Sequence, residues 1–259
     1  VTERTKVIAA VDYAGHPADH DALRAVADHA GATLVADACH SIGGAYRGRP
    51  VGSVADMTCF SFHPVKTVTT GEGGAILTDD AKLAEAMFAF RTHGIVRGRL
   101  GTDEDPGGWA YDIDELGFNY RITDFQCALG SSQLRKLAGF VTRRQEIAAL
   151  YRELLADVDD LALPPDAAWC SHGYHLFAIR VPAARRRQIF DALRAEQIGV
   201  QVHYVPVNML NVYRKLGYKP EDTPVALETY QREISIPMYP QMTDHDVHRV
   251  AEVLQKVMK

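Results

Sequence analysis

Long apolar runs are missing from the 259-residue sequence. No stretch approaches the roughly 20 apolar residues that a membrane-spanning helix requires. Blocks of lysine or arginine are also missing, and the formal net charge is -5. Because nucleic acids and anionic membranes are bound through clustered positive charge, these absences argue against either as the main partner.

The groupings typical of disulfide frameworks and metal sites are also absent. The cysteines are widely spaced and form no CxxC pair: Cys39, Cys59, Cys127 and Cys170. We therefore expect free thiols in the reducing cytoplasm. His172 and His175 are close in sequence, but no third ligand accompanies them, so we expect no metal site.

Apolar strands alternate with amphipathic helices in the first half of the chain. The predicted strands are KVIAAVDYAG, whose Val7–Val11 part is expected to be buried, ATLVADACH, ADMTCFSF and GGAILTDD. Helices are predicted in DHDALRAVADHAG, which Gly31 ends, and in AKLAEAMFAFRTHG. Thr123 and Gln126 form a capping box. It starts a helix predicted to run to about Ala156, with a break near Gly139.

The composition changes after LPPDAAW, which predicts a second unit. Strands are predicted in YHLFAIRV and VQVHYVPV, an extended segment in REISIPMYP, and helices in AARRRQIFDALRAEQIG, which Gly199 ends, and TDHDVHRVAEVLQKVM. The whole pattern predicts an α/β fold with a layered sheet, which binds ligands at the carboxyl ends of its strands. We predict one unit over residues 1–150, including a connecting helix, and a smaller C-terminal α+β domain over residues 151–259.

A lone lysine, Lys66, lies in the apolar segment CFSFHPVKTVTTGEGGAIL. The pattern leaves two interpretations open. Lys66 is either a surface lysine whose stem covers apolar surface, or a desolvated amine that attacks carbonyl groups. Glycines at Gly71, Gly73 and Gly74 would let the backbone approach a bound group, although their order is not that of a nucleotide-binding P-loop.

Other polar side chains are expected near the same edge of the sheet. Asp37 ends a buried run, and a buried carboxylate requires a cationic or hydrogen-bonding partner. A protonated ring nitrogen of a cofactor and the cap of the next turn explain Asp37 equally well. Ser61 and Asn119 are either anion-binding groups or ordinary strand and loop residues.

These segments, in this order, resemble a known family. ADACHSIGGAYRGRPVGSVADMTCFSFHPVKTVTTGEGGAILTDD and LGFNYRITDFQCALG resemble the cofactor regions of the DegT/DnrJ/EryC1/StrS sugar aminotransferases, which use pyridoxal 5'-phosphate. The resemblance extends over essentially the whole chain. It implies fold type I, with residues 1–150 as the C-terminal portion of the cofactor-binding large domain, whose sheet is mixed and mostly parallel.

The resemblance also implies a family N-terminal part ahead of Val1, which we expect this chain to lack. In family members that part supplies a helix N-terminus for the cofactor phosphate and an aromatic ring that stacks on the cofactor.

The resemblance assigns roles to matching positions. Lys66 is the lysine that forms a Schiff base with the cofactor, Asp37 pairs with its ring nitrogen, and Ser61 binds its phosphate. His40 occupies the position where many members carry glutamine, near the ring hydroxyl. Asn119 reaches the phosphate of the neighbouring subunit's cofactor, which implies a homodimer with shared active sites.

The substrate side is also implied by resemblance. SFHPVKTVTTGEGGA, VQVHYVPV and EISIPMYP look most like the PseC-type enzymes. Those enzymes aminate the C4 ketone of a UDP-linked 4-keto-6-deoxy-N-acetyl hexosamine on the route to pseudaminic acid, with an amino acid donor, here expected to be glutamate. Arg121, His203 and Tyr204 resemble residues that line the nucleotide-sugar site, and His63 is expected to face the sugar.

Three alternatives stand beside this assignment. The chain could aminate another nucleotide-linked 4-keto sugar, of the perosamine or aminoarabinose type. It could be a non-catalytic fragment of the fold. A dehydratase relative is disfavoured, because those relatives carry histidine in place of the Schiff-base lysine and this chain has Lys66.

Overall fold

Strands and helices alternate along the computed structural model, which describes residues 1–97 and 107–259. The strands are β1 (Val7–Val11), β2 (Thr33–Asp37), β3 (Ala45–Tyr46), β4 (Arg49–Pro50), β5 (Met57–Ser61), β6 (Gly74–Leu77), β7 (Ile95–Arg97), β8 (Tyr111–Ile113), β9 (Cys170–Ser171), β10 (Phe177–Arg180) and β11 (Glu233–Ile236). The helices are α1 (His20–Ala30), α2 (Ala81–Arg91), α3 (Asp124–Leu134), α4 (Leu137–Leu154), α5 (Arg186–Ala195), α6 (Asn211–Lys215), α7 (Pro224–Arg232) and α8 (Asp244–Met258). The predicted α/β class is confirmed.

The sheet that positions the site has the strand order β1-β2-β5-β6. Strands β1, β2 and β5 are parallel, and β6 pairs antiparallel with β5. Val11, Asp37 and Cys59 lie at the same register across the parallel strands. The residues that follow these strands therefore meet at one edge of the sheet, where ligands bind in folds of this kind.

The helix that begins after residue 123 is linked to the glycine turn after β5. Thr123 and Gln126 form the predicted capping box at the start of α3. The same Gln126 side chain donates from Nε2 to the Glu72 carbonyl at 2.7 Å. The helical stretch breaks at Arg135 and Lys136, not at Gly139, which lies inside α4. No helix in the described ranges is long and apolar enough to cross a membrane.

The C-terminal part has its own apolar core around β10 and β11, which pair antiparallel. Fully buried side chains of α4, α5, α8 and both strands fill it, among them Ile147, Tyr151, Phe177, Ile189, Leu193, Ile234 and Leu254. The predicted boundary between residues 150 and 151 falls inside α4, which also contributes side chains to this core. The division into two domains stays a prediction.

Three local predictions were wrong. VQVHYVPV forms no strand; only Gln201 makes an isolated bridge, to Ser235. Helix α5 ends at Ala195, ahead of Gly199. Val7 and Val11 of β1 were expected to be buried but are 54% and 58% exposed, because no described element of this chain covers that face of the strand.

A close backbone approach at Gly15 joins the first sheet to the C-terminal part. Gly15 accepts a backbone hydrogen bond from Gly173, and Ala14 accepts one from Leu176. Gly15 has φ +99°, and a Cβ atom there would lie 2.8 Å from the Tyr174 amide and 2.9 Å from the His40 carbonyl. Only glycine fits a left-handed backbone with this little space.

We expect Gly15→Ala to lower the free energy of unfolding by at least about 3 kcal/mol, because it adds a steric overlap to an unfavourable φ. Gly31→Ala is the matched control, since Gly31 also has positive φ but no atom within 4 Å of the added Cβ. That control should cost about 1 kcal/mol. Urea unfolding of the purified variants measures both; equal losses would contradict the close approach at Gly15.

Candidate active site

The turn after β5 carries Lys66 to the carboxyl edge of the sheet. Backbone hydrogen bonds close this loop, from Phe62 to Gly73 at 2.8 Å and from Thr70 to Phe62 at 3.0 Å. A tight turn inside the loop joins the Lys66 amide to the His63 carbonyl at 2.9 Å. Lys66 is held on a fixed backbone and is partly buried.

Two of the three glycines after Lys66 have an explanation within the chain itself. A Cβ at Gly73, where φ is +152°, would overlap Thr70 Oγ1, and one at Gly74 would lie 2.7 Å from the Phe60 carbonyl. These glycines allow the chain to pack against itself. The prediction that they serve the approach of a bound group is therefore not needed to explain them.

The environment of Lys66 makes its ammonium lose a proton more easily than an exposed lysine does. Burial lowers the pKa of Lys66, and the neighbouring Cys39 and Asp37 side chains oppose this effect without cancelling it. A lysine that loses its proton more easily is a better nucleophile towards carbonyl groups. Partial burial and a lowered pKa support the desolvated-lysine interpretation over the surface-lysine one.

Asp37 lies at the end of β2, close to Lys66 and Cys39. Its Oδ1 accepts a hydrogen bond from the Cys39 amide at 3.2 Å. Burial and the hydrogen bond with Asp37 raise the pKa of the Cys39 thiol to about 12. Cys39 therefore stays protonated near neutral pH, and Lys66 is the better nucleophile of the two.

His40 is a buried, neutral imidazole with a defined tautomer. Burial, followed by the positive charge of Lys66, lowers the pKa of His40 to about 4. The Ala14 amide donates to His40 Nδ1 at 3.3 Å. Because Nδ1 accepts this bond, the single proton of the neutral ring lies on Nε2, which makes Nε2 a hydrogen-bond donor.

His175 packs against His40, with 4.4 Å between the ring centroids. The buried Arg144 holds the backbone around His175 in place. Its Nη1 donates to the carbonyls of Tyr174 (2.9 Å), His175 (3.3 Å) and Met238 (2.9 Å). Burial, then the charge of neighbours that include His40, lowers the pKa of His175 to about 2. His175 therefore supports His40 as a neutral ring.

His172 has a structural role in the same segment. Its Nδ1 accepts from the Tyr174 amide at 2.8 Å, and the two rings stack at 3.8 Å. Burial is the main cause that lowers the pKa of His172 to about 3.

His203 and Tyr204 belong to the C-terminal part of the chain and lie close to Lys66 and His40. Burial, followed by the charge of Lys66, lowers the pKa of His203. The Tyr204 ring lies 6.2 Å from the ring of His40 and is 53% exposed. The structure therefore brings together five of the predicted site residues, which we call the Lys66 cluster: Lys66, Asp37, His40, His203 and Tyr204.

Ser61 and His63 lie on the Lys66 loop. Ser61 is the last residue of β5, and its Oγ accepts from the His63 amide at 3.3 Å. The exposed His63 ring has its Nε2 3.8 Å from Glu72 Oε1. Both residues are thus close in the chain to Lys66, at the rim of the cluster.

Asn119 and Arg121 lie elsewhere, on the segment between β8 and α3. Both are exposed, and Asn119 forms an isolated bridge with Thr92. In the part of the chain that the structure describes, we find no hydrogen bond or ion pair between these two side chains and the Lys66 cluster. A role for either residue in the site of the same subunit is not supported by these contacts.

Asp12, which follows β1 as Asp37 ends β2, was not among the predicted site residues. Asp12 is fully buried; its Oδ1 accepts from the Ala18 amide at 2.9 Å and from His20 Nε2 at 3.0 Å. Its Oδ2 accepts from Ser41 Oγ at 2.6 Å. These bonds fix the loop that carries His40, and the recurrence of aspartate at strand ends was the signal available in the sequence.

Comparison with known proteins identifies relatives of the whole chain. Residues 1–255 match the DegT/DnrJ/EryC1/StrS aminotransferase family. The chain is 36% identical to SpsC, a spore coat polysaccharide biosynthesis protein of Bacillus subtilis, with 100% of this chain and 68% of SpsC covered.

The chain is also similar to solved structures of sugar aminotransferases. The putative sugar aminotransferase Spr1654 from Streptococcus pneumoniae, in its PMP form, has a TM-score of 0.91 and 29% identity, over 100% of this chain and 70% of that one. PseC from Helicobacter pylori, an aminotransferase involved in the biosynthesis of pseudoaminic acid, has a TM-score of 0.91 and 29% identity, over 100% of this chain and 68% of PseC.

We expect His175 to make folding sensitive to acid. Its folded pKa is about 2 against an ordinary value of 6.5, so below pH 6.5 the unfolded chain binds a proton that the native protein does not. Stability from this group is complete above pH 6.5 and falls as pH is lowered, by about 1.4 kcal/mol per pH unit.

Urea unfolding between pH 6 and 4 checks this expectation. The His175→Gln variant should lose stability less steeply than the wild type, by about 1.4 kcal/mol per pH unit. His248→Gln removes an exposed histidine of α8 and should leave the slope unchanged. Equal slopes for wild type and His175→Gln would contradict the neutral, buried state of His175.

Proposed function

Because this chain belongs to the DegT/DnrJ/EryC1/StrS aminotransferase family, with its fold type I and its pyridoxal phosphate cofactor, we propose a specific amino transfer. The acceptor is the C4 ketone of a UDP-linked 4-keto-6-deoxy-N-acetyl hexosamine, and the donor is an amino acid, glutamate. The observation that carries the proposal is the partly buried Lys66, with its lowered pKa, beside Asp37.

The side chains at the site match the groups of pyridoxal phosphate. Lys66 offers an amine for the aldehyde, and Asp37 a carboxylate for the ring nitrogen. The Nε2–H of His40 is a donor for the ring hydroxyl, as its hydrogen bond from Ala14 requires. Ser61 offers a hydroxyl for the phosphate. When bound, the cofactor would supply an electron sink for the bond that breaks at the α-carbon of the amino donor.

The protein groups move and hold protons around that centre. Lys66 Nζ takes the proton from the α-carbon of the donor and returns one to the acceptor carbon. Its lowered pKa brings it closer to the operating pH, where a general base works best. The Asp37 carboxylate holds a proton on the ring nitrogen, and the neutral state of His40 leaves Lys66 without a competing cation beside it.

The sugar assignment rests on two supports. One is the resemblance of SFHPVKTVTTGEGGA, VQVHYVPV and EISIPMYP to PseC-type enzymes of pseudaminic acid biosynthesis; the other is the similarity to the Helicobacter pylori PseC structure. We assign the substrate side to His63, Arg121, His203 and Tyr204. His203 and Tyr204 adjoin His40 and Lys66, which supports their part of the assignment.

We also propose a homodimer in which Asn119 contacts the phosphate of the partner's cofactor. Asn119 is exposed and lies away from the Lys66 cluster of its own chain. Large apolar side chains beside it are also exposed, including Leu116 (81%), Tyr120 (64%) and Phe125 (90%). Exposed apolar residues in one region of a chain are typical of an interface with another subunit.

The proposed location is the cytoplasm. The cysteines are all unpaired: Cys39, Cys59, Cys127 and Cys170. Unpaired thiols are usual where the surroundings are reducing. The proposed substrates, a nucleotide sugar and an amino acid, are consistent with this location.

A second candidate substrate has support from the comparison with SpsC. That relative is named for a spore coat polysaccharide, and it is more similar in sequence (36%) than PseC is (29%). We therefore keep another nucleotide-linked 4-keto sugar, of the perosamine or aminoarabinose type, as the alternative. The same Lys66 chemistry would serve it.

We expect Lys66 to be the site of covalent cofactor attachment. Purified protein would be incubated with pyridoxal phosphate and reduced with borohydride, and its peptides analysed by mass spectrometry. The cofactor should be found on Lys66 and be lost in Lys66→Ala, because the desolvated amine is the reactive one. Lys82→Ala, which removes an exposed lysine of α2, is the control and should retain the label. No label on the wild-type protein would favour a non-catalytic fragment instead.

We expect the protein, glutamate and a UDP-linked 4-keto-6-deoxy-N-acetyl hexosamine to give the aminated sugar, followed by mass. The kcat/KM for this substrate should exceed those for perosamine-type and aminoarabinose-type 4-keto sugar nucleotides by at least about tenfold, a factor that pocket contacts readily supply. A preference for either of the others would transfer the assignment to the alternative.

A further inference from the structure

His203 is held by hydrogen bonds from three directions. Its amide donates to Glu233 Oε2 at 2.8 Å. Its Nδ1 lies 2.9 Å from Ser235 Oγ, and its carbonyl accepts from the Tyr13 hydroxyl. The ring is therefore fixed against β11 next to the Lys66 cluster.

Glu233 and Ser235 form a buried pair beneath this ring. Ser235 Oγ donates to Glu233 Oε1 at 2.5 Å, and the two residues are only 1% and 5% exposed. A serine hydroxyl has one proton, and an ionised carboxylate can only accept. The proton of Ser235 is thus committed to Glu233, which leaves Oγ with lone pairs alone for His203.

The direction of this bond decides the tautomer of His203. Since Ser235 Oγ can only accept, His203 Nδ1 must carry the proton and donate it. The other nitrogen, Nε2, is then an acceptor in the neutral ring. We propose that Glu233 is a positioning residue that acts through Ser235 to hold His203 as the Nδ1–H tautomer, so that Nε2 accepts a hydrogen bond from a hydroxyl or amide N–H of the sugar substrate.

The tautomer assignment stands on the hydrogen-bond geometry and an ionised Glu233, whereas the substrate contact rests on the proposed function. With this tautomer, the Nε2 atoms of His40 and His203 have opposite hydrogen-bonding roles. His40 receives the Ala14 amide on Nδ1 and presents a donor at Nε2. His203 gives its Nδ1 proton to Ser235 and presents an acceptor at Nε2. One ring suits an oxygen anion, and the other suits a hydroxyl or amide group.

The surroundings of Glu233 set the pH for a test. Burial raises its pKa to about 7, against the hydrogen bonds from Ser235 and His203 and the charge of Arg186. Other titratable or charged side chains that face it from neighbouring elements include Tyr13, Arg180 and Tyr204. The test is made at pH 8, above this pKa, so that the carboxylate is mostly ionised.

Nitrogen-15 NMR of histidine side chains distinguishes the two tautomers directly. On the full chain labelled at histidine, at pH 8, His203 should appear as Nδ1–H and His40 as Nε2–H. The signals are assigned by their loss in His203→Gln and His40→Gln. A wild-type His203 in the Nε2–H form would overturn the proposal.

Glu233→Gln should invert the His203 tautomer. The His203 amide still requires an oxygen acceptor, so the side-chain nitrogen of the introduced glutamine would face Ser235 Oγ and donate to it. The Ser235 hydroxyl would then turn to His203 Nδ1, and the proton would move to Nε2. Glu228→Gln, which changes an exposed carboxylate of α7, is the matched control and should leave His203 unchanged.

A second variant covers the case in which Glu233→Gln does not fold. Ser235→Ala removes the link between the carboxylate and the ring, so His203 should become a mixture of tautomers. In both variants an unchanged His40 signal reports that the site is intact. If His203 stays purely Nδ1–H in a folded variant, Glu233 does not set the tautomer.

Kinetics separates this inference from the proposed function. Where the tautomer inverts, KM for the UDP-linked sugar should rise by about tenfold, the effect of one hydrogen bond, with little change in kcat. An inverted tautomer with unchanged KM for every sugar nucleotide tested would retain the Glu233 effect but remove His203 from the substrate site. An inverted tautomer with a raised KM for an alternative sugar would retain both and change the substrate.

Discussion

The partial desolvation of the Lys66 ammonium is the constraint on which the site depends. A buried cation is costly, and the protein meets that cost by lowering the pKa of Lys66 and by placing Asp37 close to it. Burial of their own rings lowers the pKa values of His40, His175 and His203, and the charge of Lys66 adds to that effect. Neutral rings at these three positions leave Lys66 without a competing cation among them.

That electrostatic arrangement requires two parts of the chain to meet closely. The loop after β1 touches the segment from His172 to Leu176 through backbone hydrogen bonds at Gly15 and Ala14. Asp12 holds the near side of this junction through Ser41, and Arg144 holds the far side through the carbonyls of Tyr174, His175 and Met238. Each anchor is a buried polar group whose partners lie in another element, so the junction is specific as well as compact.

Hydrogen-bond direction then gives the neutral rings separate roles. An imidazole is both donor and acceptor, and its tautomer is fixed by the group on its other nitrogen. A backbone amide fixes His40, and the Glu233–Ser235 pair fixes His203. The chain thus obtains two imidazoles of different hydrogen-bonding character from one residue type.

The sequence by itself determined most of the local elements and singled out Lys66. Alternating apolar segments indicated the strands, Gly31 and the Thr123–Gln126 box marked helix ends, and Lys66 was identifiable because an isolated charge within an apolar segment requires an explanation. These features depend on neighbours in the chain, which a sequence displays. The tertiary structure alone decided that His175, Glu233 and Asp12 lie near the residues predicted from the sequence, that Gly73 and Gly74 are needed by the fold, and that VQVHYVPV is not a strand. Those outcomes depend on partners far apart in the sequence, and the burial that sets each pKa exists only once the chain has folded.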